Sequence, residues 1–218
     1  MGLTYQVFAR LPLVFGWHDL RGVSMLELGN QTFAMTDDEK AKVGVTDVVC
    51  KPHFERLGVK HVSLDLTGKD RSLALDLTRP IPPASIGGPF EVVTDFGTSE
   101  HVDDQYACYR NIHNLCRVGG LMIHELPHIG YWLGHCRFYY DYDFFLALAH
   151  LNGYVVRWLE RITYPQEGDA VFAVLRKEAQ VEFCNVKQFA PLVFESARQV
   201  TAREYWKAPY VRLAGGPA

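Results

Sequence analysis

The order of apolar and polar stretches predicts an α/β fold: a mostly parallel sheet with helices on both faces. Short apolar runs recur along the chain, and several close on an acid and a glycine, as in Ser24-Met25-Leu26-Glu27-Leu28-Gly29 and Phe90 to Gly97 (FEVVTDFG). Segments with helical spacing or capping signals separate these runs. Strands that alternate with helices need crossover connections, and those cover both faces of a parallel sheet.

Residues 4–20 are aromatic and mixed, and predict a lead-in helix with a loop. Residues 24–29 form the first strand. The polar stretch 33–58 opens a helix at Thr36-Asp37-Asp38-Glu39, where Thr caps and the acids favour the first turn. That stretch exceeds what a minimal crossover needs, so an extra loop or helix is expected over the site. Residues 59–66 (VKHVSLDL) form a second strand ending near Asp65, with a turn at Thr67-Gly68-Lys69-Asp70. A short unit at Ser72–Leu77 is ended by Pro80, Pro82 and Pro83. Residues 103–117 carry a helical stripe of Tyr106, Cys108, Tyr109, Ile112, Leu115 and Cys116. Gly119-Gly120 is expected to stop it before a strand at Leu121–His124. Residues 141–152 read as a helix capped by Asp141 or Asp143 and closed by Gly153. Tyr154–Ile162 and Ala170–Leu175 read as a final strand pair, and the short joint Pro165–Asp169 lets at least one run antiparallel. The whole is one domain over 1–218, with a core of about 20–176 and an extension of about 180–218.

A chain of 218 residues can bury a sizeable core. Its net charge of −3 shows no basic excess, so nucleic acid is not expected as a partner. No apolar stretch is long enough to span a bilayer, and Arg10 to Phe15 is too short and badly flanked for a signal peptide. No membrane association is expected. The five cysteines, at 50, 108, 116, 136 and 184, form no C-x-x-C pair. That argues for a reducing compartment, read as cytoplasmic, and against a disulfide framework.

Six segments, in order, resemble class I S-adenosylmethionine-dependent methyltransferases. Glu27-Leu28-Gly29-Asn30-Gln31 stands at that family's first glycine motif, and Asp65 at the strand-end acid. Asp76-Leu77 falls at the adenine contact, and Val93 to Thr98 (VTDFGT) at the fourth motif. Leu115 to Ile123 resembles the helix–GG–strand unit, and Phe144 to Tyr154 the late helix before the final strands. The resemblance runs from about residue 20 to 176. It implies a Rossmann-like three-layer sandwich: a mostly parallel seven-stranded sheet with an antiparallel strand near the C-terminus. It also implies S-adenosyl-L-methionine as cofactor. The glycine motif departs from the family's pattern, because Asn30-Gln31-Thr32-Phe33 follow a single glycine.

The residue types fit that chemistry. A strand-end carboxylate such as Asp65 pairs with two ribose hydroxyls. Glycine lets backbone approach a ligand, so Gly29 is expected against the methionine part, with Asn30 and Gln31 as polar neighbours. Asp76 and Leu77 are assigned to the adenine. Glu27 is expected to face the cofactor's ammonium or nearby backbone, and Asp95, with Phe96, the cofactor's amino-acid end or the transferred group. Methyl transfer is an in-line displacement that needs positioning and, for an oxygen or nitrogen nucleophile, often a base. His101 and His124 are the chosen substrate-side groups, since histidine titrates near neutral pH.

His124-Glu125-x-x-His128 is not read as a helical zinc motif, because Pro127 breaks a helix. His124, Glu125, His128 and His135 offer a second metal reading by gathering at a loop, but no metal is assigned. The aromatic run from Tyr131 to Phe145 reads first as loop anchors and helix core, and second as an acceptor pocket wall. Residues Gln188 to Tyr210, with Trp206, read as a lid or an oligomer contact, so a homo-oligomer is an open expectation. The reading is therefore a small-molecule methyltransferase. Its rival is a degenerate nucleotide- or partner-binding module without turnover. A nicotinamide oxidoreductase would need the missing G-x-G-x-x-G.

Overall fold

Seven strands build the central sheet: β1 (Ser24–Leu28), β2 (Lys60–Asp65), β3 (Leu73–Ala74), β4 (Phe90–Phe96), β5 (Cys116–Pro127), β6 (Tyr154–Tyr164) and β7 (Gly168–Lys177). Their order is β3-β2-β1-β4-β5-β7-β6. Strands β1 to β5 pair in parallel, and β7 runs antiparallel between β5 and β6. The computed structural model describes residues 2–16, 19–165 and 168–195. Trp206 and Tyr210 lie outside the described residues.

Alternation along β1 sorts its side chains. Leu26 and Leu28 join one apolar layer with helices α3 (Gln105–Leu115) and α4 (Tyr142–Asn152). Met25 faces the other layer, with the N-terminal segment and Phe54 of α2 (Cys50–Arg56). Truncating a fully buried leucine such as Leu26 to alanine in such a layer typically costs about 2–5 kcal/mol. The stretch between β1 and β2 holds α1 (Asp37–Val43) as well as α2; α1 opens with a Thr36–Glu39 capping box. In place of one lead-in helix, two four-residue helices, Tyr5–Phe8 and Leu11–Val14, form around Pro12.

Two elements differ from expectation. The helix ends at Leu115, and the strand starts at once, so Gly119-Gly120 lie inside β5. Gly119 takes φ +79°, and the pairing of β4 with β5 shifts between Phe90 and Val92. The glycines make a bulge rather than a stop. The third strand shrinks to two residues because the Asp76 carboxylate accepts from Thr78 N–H at 2.8 Å and turns the chain. No helix among the described residues is long and apolar enough to cross a membrane.

Candidate functional site

The strand order reverses between β1 and β4, and the carboxyl ends of these two strands form the crevice where open α/β sheets take ligands. Gly29 ends β1 at φ +78°. A Cβ there would fall 2.5 Å from Thr98 Oγ1 and 2.8 Å from Gln31 Nε2. A Cβ there would press on protein atoms whether or not a ligand is bound. Gln31 is buried and spans the crevice, its amide donating to Leu28 O at 2.9 Å and to Thr98 Oγ1 at 2.8 Å. Glu27 takes the backbone option: its carboxylate accepts from Gln31 N–H at 3.1 Å and lies 3.5 Å from His61 Nε2. Burial pushes Glu27 up from the usual carboxylate range, against the pull of His61.

Asp65 ends β2 half-buried and faces the β1 turn. It accepts from Asn30 N–H at 3.2 Å, and from Thr67 N–H at 2.7 Å and its hydroxyl at 2.5 Å. Burial raises its pKa, but the bonds from Thr67 and Asn30 outweigh this and hold it below the usual range. Asn30 also donates to Asp70 at 2.5 Å. Asp76 is exposed, and the bond from Thr78 N–H lowers its pKa. Leu77 is buried in the core, its carbonyl accepting from Asn111 at 2.9 Å. Asn111 also holds Arg79 O and Ile81 N–H, so it fixes the loop the adenine reading invoked. An Asn in the interior of a helix is the sequence signal that marks it.

Asp95 does not face the crevice openly. Fully buried, it accepts from Thr98 N–H at 3.3 Å and Ser99 N–H at 3.1 Å, and meets His124 Nδ1 at 3.1 Å. It organises the loop after β4. Phe96 points into the apolar layer with Met25, Ile123 and Phe172. The substrate-side expectation for His124 meets a different environment: 1 % exposed, with rings of Tyr109 and Phe145 at 5.9 and 5.3 Å. Its Nδ1 meets Asp95, which holds the loop after β4. Glu125, on the opposite strand face, accepts from the Tyr164 hydroxyl. His128 binds Ile129 O at 2.7 Å. Alternation along β5 thus parts the His124–Glu125 pair.

The polar mouth of the site is built instead by the turn Ser99–His101 and by residues 132–135 after β5. His101 has a side-chain exposure of 46 %, and its ring lies 5.2 Å from that of His135. Burial and the neighbouring His135 push the His101 pKa down. Glu100, missed in the sequence as a site residue, is fully buried, with Oε1 3.6 Å from His101 Nε2. Burial and the Asp95 charge push it up to about 8. Gln105 donates to Ser99 O at 2.6 Å and Val102 O at 2.8 Å, and accepts from the Tyr140 hydroxyl at 2.7 Å. Arg137 reaches Asp103 at 2.7 Å and clamps this turn to the loop carrying His135. Tyr139, Tyr140, Phe144 and Phe145 are core, as the first reading of the aromatic run has it.

No protein-family model and no curated protein matches the sequence. Solved structures do. An S-adenosylhomocysteine complex of the N-methyltransferase NodS from Bradyrhizobium japonicum WM9 aligns with a TM-score of 0.53 at 13% identity, over 80% of this chain and 86% of that one. Burkholderia thailandensis 1,6-didemethyltoxoflavin-N1-methyltransferase, with 1,6-didemethyltoxoflavin and S-adenosylhomocysteine bound, gives 0.51 at 18%, over 78% and 76%. Haemonchus contortus phosphoethanolamine N-methyltransferase 2, with S-adenosyl-L-methionine, gives 0.51 at 12%, over 80% of this chain and 52% of that chain. These likenesses are of fold: this sheet order and its antiparallel β7 are the class I methyltransferase fold.

Proposed function

We propose that this chain, which has the class I methyltransferase fold, binds S-adenosyl-L-methionine and transfers its methyl group to an oxygen or nitrogen of a small molecule. The observation that carries the reading is the meeting of Gly29, Asn30 and Asp65 on one side of the β1–β4 reversal with the His101 turn on the other. Asp65 lies where a ribose could take its carboxylate. Its present donors, Asn30 N–H and Thr67, hold it charged and oriented. His101 and His135, half out of the surface, stand on the side where an acceptor meets the methyl. The toxoflavin enzyme is an N-methyltransferase with 1,6-didemethyltoxoflavin bound, which supports a small acceptor with a nitrogen nucleophile. Five free thiols fit the cytoplasm.

Calorimetry with S-adenosylhomocysteine tests the reading. Binding is expected, and Asp65→Asn should weaken it by about 1.5–3 kcal/mol, the scale of hydrogen bonds to a charged group. The asparagine keeps an acceptor for Thr67, so the turn survives. Unchanged affinity in this variant would remove Asp65 from the site. The rival module without turnover has one feature in its favour: the Gln31 amide bridges Leu28 and Thr98 across the crevice. Absence of binding at high micromolar concentration would favour it.

A further inference from the structure

We propose that Glu100, His101 and His135 form a binding site for one divalent transition-metal ion. Their ligand atoms lie within 4.8 Å of one another, although they come from two separate loops. Ligands sharing a tetrahedral ion at about 2.0–2.2 Å stand roughly 3.3 Å apart, so small side-chain movements close the set. His101 and His135 are exposed and can make them.

Glu100 supplies an independent sign. Its side chain is wholly buried, yet neither carboxylate oxygen has a hydrogen-bond partner. A buried carboxyl group without bonds is costly in either protonation state. Its Oε1 is aimed at His101 Nε2, 3.6 Å away. Asp95, close by, adds negative charge that outweighs the smaller relief from a backbone N–H. A cation between Glu100 and the two imidazoles provides what the carboxylate lacks. The surrounding structure holds the loops in place: Gln105 fixes Ser99 O, Trp132 O accepts from His135 N–H at 2.9 Å, and Arg137 joins the loops through Asp103.

One carboxylate and two imidazoles suit zinc, manganese, iron, cobalt or nickel better than magnesium or calcium, which prefer all-oxygen shells. Three protein ligands leave coordination positions open, as in sites that bind substrate. The role in catalysis rests on the proposed methyl transfer: an acceptor oxygen on such an ion loses its proton more readily. His101 then holds the ion instead of acting as a free base. The binding itself does not depend on turnover.

The test uses the tag-free full chain, stripped with chelator and titrated with Co²⁺. One equivalent should bind with visible absorption bands, and Zn²⁺ should displace it and raise the melting temperature. Glu100→Gln and His135→Ala should each weaken Co²⁺ binding about a hundredfold or more, beyond the roughly 10–100-fold lost with outer-shell partners. His150→Ala, at an exposed histidine on α4, should change nothing. Should Glu100→Gln not fold, the exposed His135 carries the same test. No stoichiometric Co²⁺ binding, or full affinity in His135→Ala, overturns the site. Co²⁺ without S-adenosylhomocysteine binding would keep the metal site and remove the methyltransferase reading. The reverse outcome would remove the metal and leave His101 a free base.

Discussion

Gly29 serves twice at one position: its φ of +78° is reserved for glycine, and its missing Cβ leaves room for Thr98 and Gln31. Gly29→Ala should therefore lose about 1–2 kcal/mol for the left-handed backbone alone, with more from displacing Thr98, read as a lower urea midpoint. A variant as stable as the parent would contradict both points. His101→Ala should cut turnover about a hundredfold with the true acceptor, the scale for losing a base or an acceptor-side ligand, while S-adenosylhomocysteine affinity holds. Full turnover would move acceptor chemistry away from this turn. The places of Gly29, Asp65 and His101 at the carboxyl edge were legible in the sequence because each ends or follows an apolar run, and that position is a local property. Glu100 was not. Its significance comes from complete burial without hydrogen bonds, which only tertiary packing creates. Asp76 reads two ways for a related reason: a strand-end acid before Thr78 serves an Asx turn as readily as a ligand.

Among elements, the loop after β4 is braced from beneath. Tyr140 donates to Gln105 Oε1, Gln105 holds Ser99 O and Val102 O, and Asp95 takes the N–H groups of Thr98 and Ser99. All three side chains are buried, so the network is worth most when complete. Tyr140→Phe leaves Gln105 Oε1 without its donor, and should cost about 1–3 kcal/mol in chemical denaturation. A loss below a few tenths would mean that water replaces the hydroxyl. This bracing was invisible beforehand because it joins residues from three stretches, and the aromatic run showed only that Tyr140 would be anchored. The strands were legible in part. Runs such as FEVVTDF are apolar enough to read as buried parallel strands, and Asp141 with Gly153 marked both ends of α4. Strand β5 was cut short because two glycines look like a stop, and nothing local shows that β4 will pair across a bulge.

At the scale of the whole molecule, α3, β5, β6, β7 and the segment after β7 meet at His113. Its Nε2 lies 2.8 Å from Val181 O and its Nδ1 2.6 Å from the Tyr154 hydroxyl, while Lys177 Nζ donates to His113 O at 2.8 Å and Cys116 O at 3.1 Å. With Val181 O taking the ring proton and Tyr154 donating to the other nitrogen, the neutral imidazole satisfies both contacts. Burial first, and then the Lys177 charge, push its pKa down to about 4. The unfolded chain holds histidine near 6.5, so below that pH the unfolded state binds the extra proton and the folded state resists it. Stability from this group is fully present above about pH 6.5 and is lost as pH falls toward 4, by about 3 kcal/mol in all. His53 is shifted the same way by burial, whereas the raised pKa of Glu100 has the opposite slope. Only a difference between two proteins therefore isolates His113. His113→Gln keeps one donor and one acceptor but cannot titrate. Its stability deficit, from urea unfolding at pH 7, 5.5 and 4.5, should shrink steadily as the pH falls. An equal deficit at all three values would show that His113 is as easily protonated in the fold as outside it.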